Sequence, residues 1–259
     1  MRPTFQISDL TPMYEYMHEI VPEKNGGLAV NTMMNDIIAT ERLVRDFKSG
    51  STVVHALKNV SITIEQGKLT ILKGRSGSGK TTLINLLGAL DRPDSGIIKF
   101  NGDVISKAGE HIKNEMRRKH MGFVFQSVAL ISMMSAYENV EFGLRIAGYN
   151  AKGRSERVKE CLAQVGLSKR MYHKPQELSG GEQQRVAIAR AIAHKPDIIF
   201  ADEPTAELDT HMGLQVVKLF KDLVEKEGLT VIMTTHDPSM TDIADHVLTL
   251  EDGEIADAR

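Results

Sequence analysis

Residues 74–82, GRSGSGKTT, hold glycines, a lysine and two threonines in the order that a phosphate-binding loop needs. They satisfy G-x-x-x-x-G-K-[ST] directly after the apolar run LTILK and before a helix-forming run. Glycines let successive backbone amides curl round phosphate oxygens, and the N-terminus of the following helix adds partial positive charge. Gly74, Arg75, Ser76, Gly77, Ser78, Gly79, Lys80, Thr81 and Thr82 are therefore candidate nucleotide-binding residues. Lys80 is expected to bridge β- and γ-phosphates, and Thr81 to offer its hydroxyl to Mg2+. A flexible Gly/Ser turn would explain neither the lysine nor the flanking elements. A second constellation, IIFADEP at 198–204, ends an apolar run in two carboxylates. Asp202 is expected to hold Mg2+ through water, and Glu203 to orient and deprotonate the water attacking a γ-phosphate. Two acids after a strand are usually a solvated turn; beside a phosphate loop they point to hydrolysis.

LSGGEQQR at 178–185 selects among phosphate-loop proteins. It resembles the signature of the ATP-binding-cassette (ABC) ATPases, and the other family motifs follow in family order. Gln126 in FVFQ resembles the Q-loop residue, Asp209 in AELD the D-loop residue and His236 in TTHDP the switch histidine. The resemblance covers about residues 37–255. It implies that Ser179, Gly180 and Gly181, at the start of a helix expected over about 182–193, receive the γ-phosphate of ATP held by another subunit. Two chains, as a homodimer or a pair of ABC ATPases, would then sandwich two ATP. It further implies that His236 contacts the γ-phosphate and braces the attacking water or Glu203, and that Gln126 touches Mg2+. Phe47 in RLVRDFKSG matches the aromatic that stacks on adenine, often tyrosine in the family; without that match it reads as a core residue.

GALDRPDSGIIKFNGDVIS, RRKHMGFVFQ and ADEPTAELD resemble the lipoprotein-releasing and macrolide- or peptide-exporting group of the family (LolD/MacB/FtsE-like). The function implied is an ATP-hydrolysing transporter subunit at the cytoplasmic face of the cell membrane. It would drive a separate integral membrane permease, in export or lipoprotein release. One alternative is a regulatory ABC ATPase of the cell-division type, without substrate flux. Another is a non-transport ABC ATPase, against which the single cassette and the lack of a long coiled-coil insert argue. LISMMSAYENV departs from the family in lacking the proline common after the Q-loop leucines. Ala129, Leu130, Ile131, Met133 and Met134 follow the Q-loop, where a permease helix docks in the family; core packing is the equal alternative.

These motifs need a rigid frame, and strand-like and helix-like segments alternate along the chain, favouring an α/β fold with a largely parallel sheet. LTILKG at 69–74 reads as an apolar strand that runs straight into glycine, short apolar runs at 123–125, 197–201 and 229–235 as strands of the kind buried in parallel sheets, and HVLTL at 246–250 as a further strand. A helix is expected from Lys80 to about Leu90, closed by DRPDSG, and another over 211–226 with Val216, Val217, Phe220, Leu223 and Val224 on one face. Residues about 135–177 read as an inserted helical subdomain, with Cys161 a buried small hydrophobe. The fold expected is thus a P-loop NTPase core with a parallel-rich sheet, an antiparallel β subdomain and an inserted α-helical subdomain. Residues 1–36 show neither period nor motif and read as an N-terminal extension of unknown role. The basic run RRKH at 117–120 reads as a solvated helix face.

Composition sets the outer limits. With 259 residues, 41% of them hydrophobic and 25% charged, the chain can bury a sizeable core and is not wholly disordered. One cysteine permits no internal disulfide and fits a reducing cytosol. A net charge of −2 gives no electrostatic reason to expect nucleic acid as a partner. The longest uncharged stretch, Met121 to Tyr137, carries Gln126 and three serines and is too short and polar for a membrane span. The N-terminus lacks a secretory pattern, and little sequence follows residue 250, so no C-terminal regulatory domain is expected.

Overall fold

The computed structural model describes residues 35–50 and 52–259; the expected N-terminal extension lies almost wholly outside them. The chain opens with β1 (Asp36–Ser49), β2 (Thr52–Val60) and β3 (Thr63–Glu65). Next, β4 (Leu69–Lys73) runs through the phosphate loop into α1 (Lys80–Leu87). After β5 (Ser95–Phe100), β6 (Asp103–Val104) and α2 (Glu110–Lys119) comes β7 (Met121–Val124). Three helices follow: α3 (Ala136–Ile146), α4 (Ala151–Gln164) and α5 (Gly180–Ile192). Then come β8 (Ile198–Ala201), α6 (Thr210–Glu227), β9 (Thr230–Thr235) and the hairpin of β10 (His246–Glu251) with β11 (Glu254–Ala258).

Two sheets result. One is antiparallel, in the order β2-β1-β5-β6 with β3 beside β1; the other is six-stranded, in the order β11-β10-β4-β9-β8-β7. Within the second, every pairing from β10 to β7 is parallel and β11 alone is antiparallel. Its inner strands β8 and β9 are buried along their whole length, and β4 at all but its last residue, because both faces of the sheet are covered there. Ile71, Ile199, Val231 and Met233 pack toward the helices, while Leu72, Phe200 and Ile232 pack into a second core shared with the antiparallel sheet and α1. The α6 residues Val216, Val217, Phe220, Leu223 and Val224 are all buried, as their spacing predicts.

Only helices and short turns connect β7 to β8, and Val140, Leu144, Val158, Cys161 and Leu162 join the helix-side core of the sheet. Burial pushes the Cys161 thiol up to about 11, so it packs as a hydrophobe. Among the described residues no helix is long and apolar enough to cross a membrane. Helix α1 stops three residues short of the expected Leu90, because Gly88 caps it and Ala89 turns to φ 55°. Helix α5 starts two residues earlier than expected, directly after Ser179. The RRKH run is not simply solvated: Arg117 is part-buried and donates to the Ala89 carbonyl.

Candidate nucleotide site

The phosphate loop spans the gap between β4, a central strand, and the N-terminus of α1, whose first turn carries no acidic side chain. Its glycines are needed for more than flexibility. Gly79 has φ 104°, and a side chain there would run into the Ala56 carbonyl; one at Gly74 would run into that of Leu250. The loop is also propped from behind by the β10–β11 hairpin. Gly253 N–H donates to the Ser78 carbonyl at 3.1 Å, and Lys58 N–H donates to the Gly253 carbonyl at 2.8 Å. Lys80 is only 5% exposed, and its Nζ donates to the Gly74 and Arg75 carbonyls at 2.9 and 3.0 Å. The buried ammonium is therefore aimed at the concave side of the loop.

The acid pair sits at the end of β8, next to β9. Asp202 Oδ1 accepts from Thr81 Oγ1 at 3.1 Å and from Thr234 Oγ1 at 2.8 Å. The Glu203 N–H donates to Thr234 Oγ1 at 2.8 Å. Glu203 adopts φ 44°, an unfavourable conformation for a residue with a side chain, which turns its carboxylate to 3.7 Å from Lys80 Nζ and 3.4 Å from His236 Nδ1. Thr81, Lys80, Asp202, Glu203 and His236 thus form one connected cluster although they span 157 residues of sequence (236 minus 80, counted inclusively).

Through Lys80, Thr81 and Glu203 the cluster opens onto a cleft of ≈760 Å³, within the range of small-molecule sites. Phe47, Ser76, Gly77, Gly79, Lys80, Thr81, Thr82, Gln126 and Glu203 line it. Gly74, Arg75 and Ser78 shape the loop without lining the cleft, as do Asp202 and His236 the cluster. Val54, His55, Ala56, Lys58, Asp252 and Gly253 also line it and escaped the sequence reading. They come from β2 and the late hairpin, where no motif marks them. Thr234 was missed too; its only signal is a threonine at the end of an apolar strand, one strand over from the acids.

Ser179, Gly180, Gly181 and Asp209 are not on the cleft wall. Ser179 caps α5 in a reciprocal box with Glu182: Ser179 N–H donates to Glu182 Oε2 at 2.8 Å and Glu182 N–H to Ser179 Oγ at 3.3 Å. Asp209 caps α6, accepting from Met212 N–H at 2.9 Å. Among the described residues no group of three or more His, Cys, Asp or Glu side chains could hold a metal. An ion at this site would need mixed oxygen donors, as Thr81, Gln126 and Asp202 provide.

A second cleft, ≈370 Å³ and mostly apolar, lies beyond Gln126. Phe123, Phe125, Ala129, Ile131, Phe142 and Ile146 line it, with Arg117, Arg118, Arg190 and His194 at its polar parts. Of the residues following Gln126, Ala129 and Ile131 thus belong to a groove, Leu130 packs on the core, and Met133 is 76% exposed.

Residues 57–206 match the family described as ABC transporter. The chain is 42% identical over 219 residues to the macrolide export ATP-binding/permease protein MacB 2 of Yersinia pestis bv. Antiqua, covering 85% of this chain and 32% of that protein. It thus spans about a third of that relative's length. It is also 42% identical over 221 residues to an uncharacterised ABC transporter ATP-binding protein of Methanocaldococcus jannaschii, covering 85% of this chain and 98% of that one. Among solved structures, it is similar to the ATP-binding cassette MJ0796, a dimer in a post-hydrolysis state bound to ADP and Pi. There the TM-score is 0.79 at 37% identity, covering 86% of this chain and 97% of that one.

Proposed function

The chain belongs to the ABC transporter family, and from that premise we propose that it is the ATP-binding and ATP-hydrolysing subunit of a transporter. It drives a separate integral membrane permease, in export or lipoprotein release, from the cytoplasmic face of the cell membrane. The observation that carries this reading is the cluster in which Lys80, Asp202, Glu203 and His236 converge at the mouth of the phosphate loop. The MacB relatives, named as export proteins with a permease portion, support the direction of transport.

The chemistry follows from the geometry. The loop amides and Lys80 hold the β- and γ-phosphates, with Phe47 beneath the adenine. Thr81, Asp202 and Gln126 supply hard oxygen donors that suit Mg2+, which when bound neutralises charge on the phosphates. Glu203 accepts a proton from the attacking water, and His236, held against Glu203 through Nδ1, leaves Nε2 for the γ-phosphate. Ser179, Gly180, Gly181 and Asp209 stand outside the cleft of their own chain and serve the nucleotide of a second cassette. ATP therefore closes a dimer, and loss of the γ-phosphate loosens it. Residues about 37–255 act as one cassette, with the helical subdomain at about 135–177 carrying the signature toward the partner.

The apolar groove beyond Gln126 takes a helix of the permease. Its floor of Phe and Ile side chains and its arginines suit an amphipathic helix with an acidic flank. The decisive experiment is E203Q, which keeps the shape of the side chain and removes the base. The variant is expected to bind ATP, run as a dimer on a sizing column only with ATP, and lose turnover by about two orders of magnitude or more. Hydrolysis at the unmodified rate would remove Glu203 from its role.

A further inference from the structure

One part-buried cation near the cleft has no part in the phosphate chemistry. Arg45 precedes Phe47 by two residues on β1, and its guanidinium stacks on the Phe47 ring, with Cζ 4.6 Å from the ring centroid. The guanidinium is clamped from its other edge. Nε and Nη2 donate to the two carboxylate oxygens of Asp91 at 2.9 and 3.1 Å, and Nη1 donates to Asp94 Oδ1 at 3.2 Å. Both aspartates belong to the DRPDSG turn that follows α1. That turn is in turn fastened to β1, because Asp46 N–H donates to Asp94 Oδ2 at 2.7 Å and Asp94 N–H to the Val44 carbonyl at 2.9 Å. Asp91 N–H reaches back to the Asn85 carbonyl of α1 at 3.2 Å.

Arg45 does not line the cleft, whereas Phe47 does and is 40% exposed. The guanidinium therefore lies over one face of the ring, while the ring and not the guanidinium reaches the cleft. We infer that Arg45 is a positioning residue for recognition of the purine base: it fixes the plane of Phe47 against the turn at the end of the phosphate-loop helix. This rests on the proposal above that Phe47 stacks on adenine.

The physical case has two parts. A half-exposed phenylalanine near the end of a strand can rotate about two side-chain bonds, and stacking a base on it costs the entropy of stopping that rotation. A planar guanidinium held by a bidentate carboxylate supplies a fixed surface over the ring, so that cost is met in advance. The cation also draws π-density toward itself, leaving the opposite face better suited to an electron-rich purine. A lysine keeps the charge but not the plane, which makes R45K a graded probe.

The test compares Mg-ATP with Mg-tripolyphosphate, a probe with the phosphates and no base, by calorimetry on the full chain. R45A is expected to weaken ATP binding about three- to tenfold while tripolyphosphate binding stays within about twofold. F47A should do the same, R45A/F47A should be no worse than F47A alone, and R45K should recover part of the loss. Equal loss for ATP and tripolyphosphate in R45A would mean a general structural role and overturn the inference. Wild-type ATP affinity in R45A with a weakened F47A would also overturn it, while leaving base stacking intact. Wild-type affinity in F47A would remove the stacking reading itself. If R45A does not fold, D91N keeps the arginine and loosens its clamp; a base-dependent loss there supports the inference, and an unchanged ATP affinity overturns it.

Discussion

At the scale of single residues, the hydroxyl of Thr234 holds two consecutive members of the acid pair. It donates to the Asp202 carboxylate and accepts the Glu203 N–H, from a fully buried position on β9. Without it, the left-handed turn at Glu203 would lose its backbone anchor, and a part-buried N–H would lose its partner at a cost of about 1 kcal/mol. T234V, nearly the same in shape, is therefore expected to lower turnover about tenfold or more while ATP affinity changes little. It should also lower the melting temperature by a few degrees. Phosphate-release kinetics beside calorimetric binding would check this, and a parallel fall in both would mean that Thr234 shapes the phosphate site instead. The threonine was invisible in the sequence because its partners lie 31 and 32 residues away. The phosphate loop was legible because nearly all its chemistry is contiguous.

At the scale of elements, α5 begins at the point where the partner's γ-phosphate is proposed to arrive, yet its first turn carries Glu182. Hydrogen bonds from the Ser179 N–H hold that carboxyl below the usual carboxylate range, with Arg170 nearby also favouring the charge. Because the folded value is depressed, the stabilisation is complete above the ordinary value of 4.5 and fades as pH falls through the lower folded value. E182Q keeps the capping box and removes a negative charge from the helix N-terminus. It should lower the ATP concentration for half-maximal dimerisation about two- to fivefold, read by light scattering in the E203Q background. No change would mean that Glu182 is neutralised by Arg170 as far as the incoming phosphate is concerned. The frame around these elements was only partly legible. The β8 and β9 runs declared themselves because burial on both faces leaves them without a single charged residue. By contrast β1 was not foreseen, since Glu41 and Arg42 are exposed, Arg42 takes φ 48° and the register with β5 slips between Glu41 and Val44, which breaks any period of two.

At the scale of the whole molecule, the two clefts divide the proposed labour, one for nucleotide and one for the permease. They are joined by the short segment that runs from Phe125 in the groove to Gln126 in the nucleotide cleft. Arg190 secures the next part of that segment by donating to the Val128 and Ala129 carbonyls. Placing charge on the groove should therefore uncouple without disarming. F142E/I146E, at side chains already 38% and 59% exposed, is expected to retain ATP-dependent dimerisation of the isolated protein but to stop co-sedimenting with membranes that contain the permease. Continued co-sedimentation would move the docking surface elsewhere. The hairpin behind the phosphate loop has a consequence in time as well as in space. Synthesis proceeds from the N-terminus, so residues 74–79 emerge long before Gly253, whose N–H and carbonyl tie the loop to β2. The nascent chain therefore carries the whole phosphate loop well before the hairpin that props it from behind has been made.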